Sequence, residues 1–178
     1  MDSNDYSDCT DSKSLNGISS RKVWIEAYGC SANVADSQAI AGALSTSGFE
    51  IAEKDEEHDL NIIVTCSVKD TTEHRMMSRI KNLSSTGKPL IIAGGMAKTE
   101  TAKLERLFSG ASLLGPRSLT KMVSCANTAI RGIKSIELED TDGREKLNVP
   151  RVRINPIVSI ILIGVGCMSE CSFCQTKL

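Results

Sequence analysis

Two runs near the middle of the chain decide its architecture. Leu60-Asn61-Ile62-Ile63-Val64 and Leu90-Ile91-Ile92-Ala93 are almost continuous in apolar residues. A strand with one wet face alternates apolar and polar positions, whereas a strand covered on both faces, as in a parallel sheet, does not. Helix-like stretches lie between such runs. Residues 35–47 place Ile40, Ala43 and Leu44 on one face and end at Gly48 as a C-cap; residues 71–83 place Met76, Met77, Ile80 and Leu83 inward. A strand over 23–28 ending at Gly29, a helix over 99–108, a short strand at 112–114 and a helix over 119–129 complete the pattern. Strands alternating with helices predict an α/β fold: a doubly wound parallel sheet of flavodoxin-like order over residues 22–130.

The flanks read differently. Residues 1–21 are rich in Asp, Ser and Asn and predict a disordered acidic tail, in which Cys9 is incidental. Residues 131–151, with a polar stretch at 139–150, read as a linker. Residues 152–178 open a second unit with Ile157-Val158-Ser159-Ile160-Ile161-Leu162-Ile163, which reads as a buried parallel strand. A chain of 178 residues has room for one ordinary domain plus part of another. Aromatics make up only 3% of it, so the core must be built from Ile, Leu, Val and Ala.

Charge and cysteine usage narrow the classes. The net charge of −1 makes no global case for nucleic acid. Between residues 111 and 136, however, Arg117, Lys121, Arg131 and Lys134 occur without an acid, and Arg144, Lys146, Arg151 and Arg153 follow against Glu145. A solvated surface is the favoured reading of that distribution. Seven cysteines, with no secretory signal and no membrane-spanning run, point to a reducing cytoplasm and to metal ligands rather than disulfides.

Chemistry concentrates after the last apolar run, where Cys167, Cys171 and Cys174 follow a C-x₃-C-x₂-C spacing. Three thiolates on one loop can hold three irons of a [4Fe–4S] cube and leave the fourth iron open. Clusters that only pass electrons usually take four cysteines. In radical enzymes the open iron binds S-adenosylmethionine (SAM), whose sulfonium the reduced cluster cleaves. A ligand loop at the C-terminal end of a strand is where α/β barrels carry their chemistry. Zinc would need a fourth ligand, and a thioredoxin-like dithiol would not need Cys167. Cys30 and Cys66 stand just past the first and second strands, so a parallel sheet would bring them to one edge. The competing reading is a pair of ordinary buried cysteines.

These segments together resemble the radical-SAM methylthiotransferases, in their archaeal and eukaryotic tRNA branch. The similar segments are Tyr28-Gly29-Cys30-Ser31-Ala32-Asn33, Thr65-Cys66-Ser67-Val68-Lys69, Gly94-Gly95-Met96-Ala97-Lys98 and the Cys167–Cys174 loop, and the resemblance runs from about residue 22 to the end. It implies that Cys167, Cys171 and Cys174 hold the radical [4Fe–4S] cluster. It implies that Cys30 and Cys66 are the first two ligands of an auxiliary [4Fe–4S] cluster, with Gly95 where the third cysteine is expected. Cys125 or an external ligand would then replace that cysteine, or the auxiliary cluster is labile or missing. Phe173 resembles the aromatic that lies near the SAM adenine, against a plain packing role. Cys174-Gln175-Thr176-Lys177 resembles the branch acting on N6-threonylcarbamoyladenosine beside the anticodon.

The implied activity is that of a tRNA-2-methylthio-N6-threonylcarbamoyladenosine synthase. A SAM-derived radical abstracts hydrogen from C2 of the adenine, the auxiliary cluster or a sulfide on it supplies sulfur, and a second SAM supplies the methyl group. Its partners would be tRNA, SAM and a reductant, in the cytoplasm and away from membranes. The alternatives are a ribosomal-protein methylthiotransferase and a non-catalytic flavodoxin-like remnant that binds RNA or a partner. From residue 152 onward there are 27 residues, against roughly 200 or more for a β/α barrel. The expectation is therefore a fragment, carrying only the first strand and cluster loop of an incomplete radical-SAM barrel and inactive alone.

Overall fold

The computed structural model describes residues 21–53, 56–67, 70–140, 149–153, 155, 157–164 and 168–172. Its centre is a sheet of six parallel strands: β1 (Lys22–Ala27), β2 (Glu50–Ile51), β3 (Leu60–Thr65), β4 (Leu90–Gly94), β5 (Ser112–Leu114) and β6 (Ile136–Glu137), in the order β2-β1-β3-β4-β5-β6. The first five follow the flavodoxin-like order. Register fixes the chemistry at the strand ends: Ala27 lies opposite Val64, and Thr65 opposite Gly94.

Five helices cover the sheet: α1 (Ser31–Thr46), α2 (Asp70–Ser84), α3 (Gly95–Thr99), α4 (Thr101–Leu107) and α5 (Met122–Ile130), the last entered through a 3-10 turn at Leu119–Lys121. The strand interiors divide cleanly between two layers. Leu60, Ile62, Val64, Ile91, Ala93 and Leu114 pack with Ile40 and Leu44 of α1 and Met122 and Ala126 of α5. Ile63, Leu90, Ile92 and Leu113 point the other way, against Met76 and Ile80 of α2, Met96 of α3 and Leu104 of α4. This two-sided burial is what the continuous apolar runs require.

The differences from expectation have physical causes. α1 starts at Ser31, four residues before the expected start, because Cys30 already takes the extended N-cap conformation (φ −98°, ψ 179°) and its carbonyl accepts the Asn33 amide at 3.0 Å. β2 and β6 are two residues each, too short to leave a periodic signature. β6 lies inside the stretch expected to be linker, so the sheet continues beyond Ala129. No helix occupies the described part of the β2–β3 connection, and a polar cluster serves that face of β1 instead. There the Glu26 carboxylate accepts Trp24 Nε1–H at 2.7 Å, the Tyr28 hydroxyl at 3.2 Å and the Arg79 guanidinium at 2.9 and 3.0 Å.

Residues 157–163, expected to form a buried strand, form none. Ile157 is 91% exposed and Ile163 98%. A strand exists only where a neighbour takes its N–H and C=O groups, and no described residue pairs with this run. No described helix is long and apolar enough to cross a membrane.

Candidate functional site

The C-terminal ends of β1, β3 and β4 turn at one edge of the sheet, and three close approaches hold the turns together. Tyr28 N–H donates to the Val64 carbonyl at 2.9 Å, carrying the ladder one residue past β1. Gly29 has φ +115°, and a Cβ built on it would lie 2.6 Å from Cys66 Cβ and 3.2 Å from Cys66 Sγ. Glycine is therefore needed here both for its backbone conformation and for the space that Cys66 occupies. Gly94 has φ +99°, and its Cβ would lie 2.3 Å from the Thr65 carbonyl oxygen. One residue later, a Cβ on Gly95 would meet Ser67 Oγ at 2.7 Å and Ser67 N at 3.0 Å.

Cys30, Cys66 and Gly95 thus belong to three turns that pack in sequence: the Gly29-Cys30 turn on Cys66, and Ser67 on Gly95. The two thiols differ in setting. Cys30 is exposed, with Sγ 3.7 Å from Asn33 Oδ1, while Asn33 Nδ2 donates to the Tyr28 carbonyl at 2.8 Å and pins the turn. Cys66 is buried, and its backbone N–H points at Met76 Sδ at 3.4 Å. Sequence reasoning passed over Ser67 as a neighbour of Gly95. Its signal was position alone, one residue beyond Cys66 where the strand has just ended.

This edge does not fit a cube held by three thiolates. Gly95 offers no donor, Ser67 fills the adjacent space, and among the described residues no group of three or more His, Cys, Asp or Glu converges. Cys125 does not make up the set. On α5 it is buried and accepts the Ser135 hydroxyl at 3.1 Å. Ser135 N–H in turn bonds Ser112 Oγ at the start of β5, which pairs with Ile91. Gly95 lies beyond the far end of β4, and at about 3.3 Å per strand residue that is on the order of 10 Å away. Burial raises the Cys125 thiol's pKa against the lowering effect of the Ser135 and Ser112 hydroxyls, so it stays protonated at neutral pH.

Of the C-terminal motif, Cys171 is described: it is exposed, with Ser169 Oγ 3.3 Å from its sulfur. Cys167, Cys174 and Phe173 lie outside the described residues. Of the four basic residues between 111 and 136, Arg117, Lys121 and Lys134 form ion pairs. Lys121 reaches Glu137 at 2.6 Å, Lys134 reaches Glu105 at 3.0 Å, and Arg117 lies 4.0 Å from Asp140, which also binds Lys98 at 2.7 Å. The acids come from other elements, so a run without acids in sequence is not an unbalanced surface in space.

Residues 22–115, from β1 to just past β5, match the model of a family described as "Uncharacterized protein family UPF0004". Among curated relatives, the chain is 39% identical over 158 residues to a probable threonylcarbamoyladenosine tRNA methylthiotransferase of Methanothermobacter thermautotrophicus. It is 35% identical over 159 residues to one of Pyrococcus horikoshii, and 29% identical over 163 residues to the threonylcarbamoyladenosine tRNA methylthiotransferase of Homo sapiens. Each match covers 88% of this chain, which spans 37% of the length of the two archaeal relatives and 28% of the human one.

Proposed function

We propose, from the premise that the chain belongs to the uncharacterized protein family UPF0004, that it forms part of a tRNA methylthiotransferase modifying C2 of N6-threonylcarbamoyladenosine. The observation that carries this reading is similarity over 88% of the chain to archaeal and eukaryotic proteins bearing that name. Cys167, Cys171 and Cys174 are the residues to hold a [4Fe–4S] cluster. Their donor set suits it, since three soft thiolates within eight residues leave one iron for the amino and carboxylate groups of SAM. When bound, that cluster supplies the electron for SAM cleavage, chemistry that acid–base side chains cannot perform on an adenine C–H. Phe173, next to Cys174, is the candidate to pack on the SAM adenine. A reductant, SAM and tRNA are the partners this reading requires, and the cytoplasm its compartment.

The sheet edge contributes differently. Cys66 is fixed beneath the Gly29 turn, while Cys30 faces solvent beside it. Two thiols without a third do not fit an auxiliary cube. Gly95 accordingly supports a second reading of this domain, as a flavodoxin-like module that binds RNA or a partner without cluster chemistry.

Mass spectrometry of tRNA nucleosides separates these readings. The 2-methylthio derivative should vanish in a strain lacking the gene and return with the wild-type gene. It should not return with the Cys167→Ala, Cys171→Ala, Cys174→Ala triple variant. Persistence in a deletion strain that has no paralogue removes the tRNA assignment. Return with the triple variant favours the module.

A further inference from the structure

In the described part of the β2–β3 connection, where a helix would cover β1, His58 stands against Trp24 instead, with ring centroids 6.4 Å apart. Trp24 lies opposite Asn61 in the β1–β3 register, so both side chains leave the same face of the sheet. His58 Nδ1 is 2.9 Å from the Glu56 carbonyl oxygen, and Nε2 is 2.9 Å from Asn61 Oδ1. Both neighbours are acceptors. A neutral imidazole carries one N–H; the imidazolium donates from both nitrogens. Asn61 is fully buried, and among the described residues its Nδ2 is the one buried side-chain nitrogen or oxygen without a hydrogen-bond partner.

The two facts belong together. With a proton on each ring nitrogen, His58 bonds two oxygens and the Asn61 amide nitrogen stays unpaired. With one proton fewer, half a turn of the Asn61 amide sets Nδ2–H against the bare Nε2 and leaves the oxygen unpaired. A buried orphan N–H is rarer in folded proteins than an under-used carbonyl, so the second proton is what holds the amide as it stands. The surrounding charges are already engaged. The Glu56 carboxylate takes Glu53 N–H at 3.0 Å and lies 3.7 Å from Lys22 Nζ, which also reaches Glu50 at 3.0 Å. Asp59 accepts Lys22 N–H at 2.9 Å, Glu57 is exposed, and Glu26 beside Trp24 is bound by Arg79. We propose that His58 and Asn61 form a proton-operated latch on the β2–β3 connection. Protonated, the ring ties the connection to β3 by a charge-assisted bond and faces the Trp24 indole as a cation. Deprotonated, the tie passes to an uncharged Nδ2–H···Nε2 bond. The latch stands where the sheet lacks a helix and involves neither the cysteines nor tRNA.

The test uses the whole 178-residue chain, labelled with nitrogen-15, and follows it by NMR between about pH 5 and about pH 8, the range in which histidine titrates. At the acid end both His58 ring nitrogens should carry protons. As His58 loses one, the Asn61 side-chain amide should shift with the same midpoint and gain a scalar coupling from Nδ2–H to Nε2. Trp24 is the sole tryptophan, so its fluorescence reports the neighbouring charge and should rise about twofold over that transition. Hold on the connection is read at Asp59 N–H, which donates to the Lys22 carbonyl at 2.8 Å. Its exchange protection factor should fall at least threefold as His58 deprotonates. In His58→Gln, both the fluorescence rise and the fall in protection should disappear, whereas His74→Gln, on the exposed side of α2, should keep them. The wild-type spectra alone can decide the matter, whatever the variants do to folding. An Asn61 amide that keeps one environment through the His58 titration overturns the latch. A protection factor that falls equally in His58→Gln overturns its hold on the β2–β3 connection.

Discussion

Leu60–Thr65 and residues 157–163 have almost the same composition, yet they end in opposite environments. In β3, Leu60, Ile62 and Ile63 are fully buried. β1 and β4 flank the strand in parallel register, and helices cover both its faces. Ile157, Ile161 and Ile163 carry the same kinds of side chain and are 91%, 76% and 98% exposed. The difference lies in the backbone. Every buried residue brings an N–H and a C=O that need partners, and β3 has a ladder on each side while the later run has none among the described residues. An apolar run thus states what a segment can become; neighbours decide whether it does.

The largest expected effect contrasts these two runs directly. Ile62→Ala removes a fully enclosed side chain and should cost about 2–5 kcal/mol. Ile161→Ala removes one that is mostly in water and should change stability by less than about 0.5 kcal/mol. Urea denaturation of both variants decides it. A cost above about 1 kcal/mol for Ile161→Ala would mean that the second run is covered in solution and that the contrast is misdrawn.

A smaller effect is expected at β1, where one face has a helix and the other a charge cluster. Burial raises the Glu26 carboxyl's pKa, but hydrogen bonds from Arg79, Trp24 and Tyr28 outweigh it and hold the value below 4.5. A carboxyl depressed in the folded state contributes stability that is complete above its unfolded value and is lost as pH falls through the folded one. Glu26→Gln should therefore cost about 1–2 kcal/mol at neutral pH, the half-exposed Arg79 being partly screened by water. The same variant should flatten the decline in stability below about pH 4.5. Thermal melts across that range check both arms.

Much of this was legible in advance, and what was not has a common cause. The continuous runs marked β3 and β4, because two-sided burial leaves its mark on every residue of a strand, and the alternation of strands with helices pointed to the class and the flavodoxin-like order. Cys30 and Cys66 were placed at one edge by the same logic. β6 escaped because Ile136 and Glu137 join the sheet only by pairing with β5, a tertiary fact with no local periodicity. The pairing of Lys134 with Glu105 and of Lys121 with Glu137 was hidden for the same reason. So was the packing of Ser67 on Gly95, which depends on how far two turns protrude beyond strands of different length.

That packing leads to the finest effect, at Gly95. From sequence, Gly95→Cys simply adds the third thiolate to Cys30 and Cys66. The structure adds a condition: the new Cβ would stand 2.7 Å from Ser67 Oγ and 3.0 Å from Ser67 N. The hydroxyl can rotate away, but the backbone nitrogen cannot. Gly95→Cys alone should therefore cost about 1 kcal/mol as a local overpacking and retain little additional iron after anaerobic reconstitution. Ser67→Gly in the same chain removes the hydroxyl and loosens the turn, so the double variant should retain more iron than either single one, with a matching rise in cluster absorbance. Cys125→Ala, at the far end of the strands, should leave iron unchanged in every background. If Cys125→Ala removes iron, the edge is wrongly drawn. If the double variant gains none, Cys30 and Cys66 are structural thiols and this edge is no more a metal site than residues 157–163 are a strand.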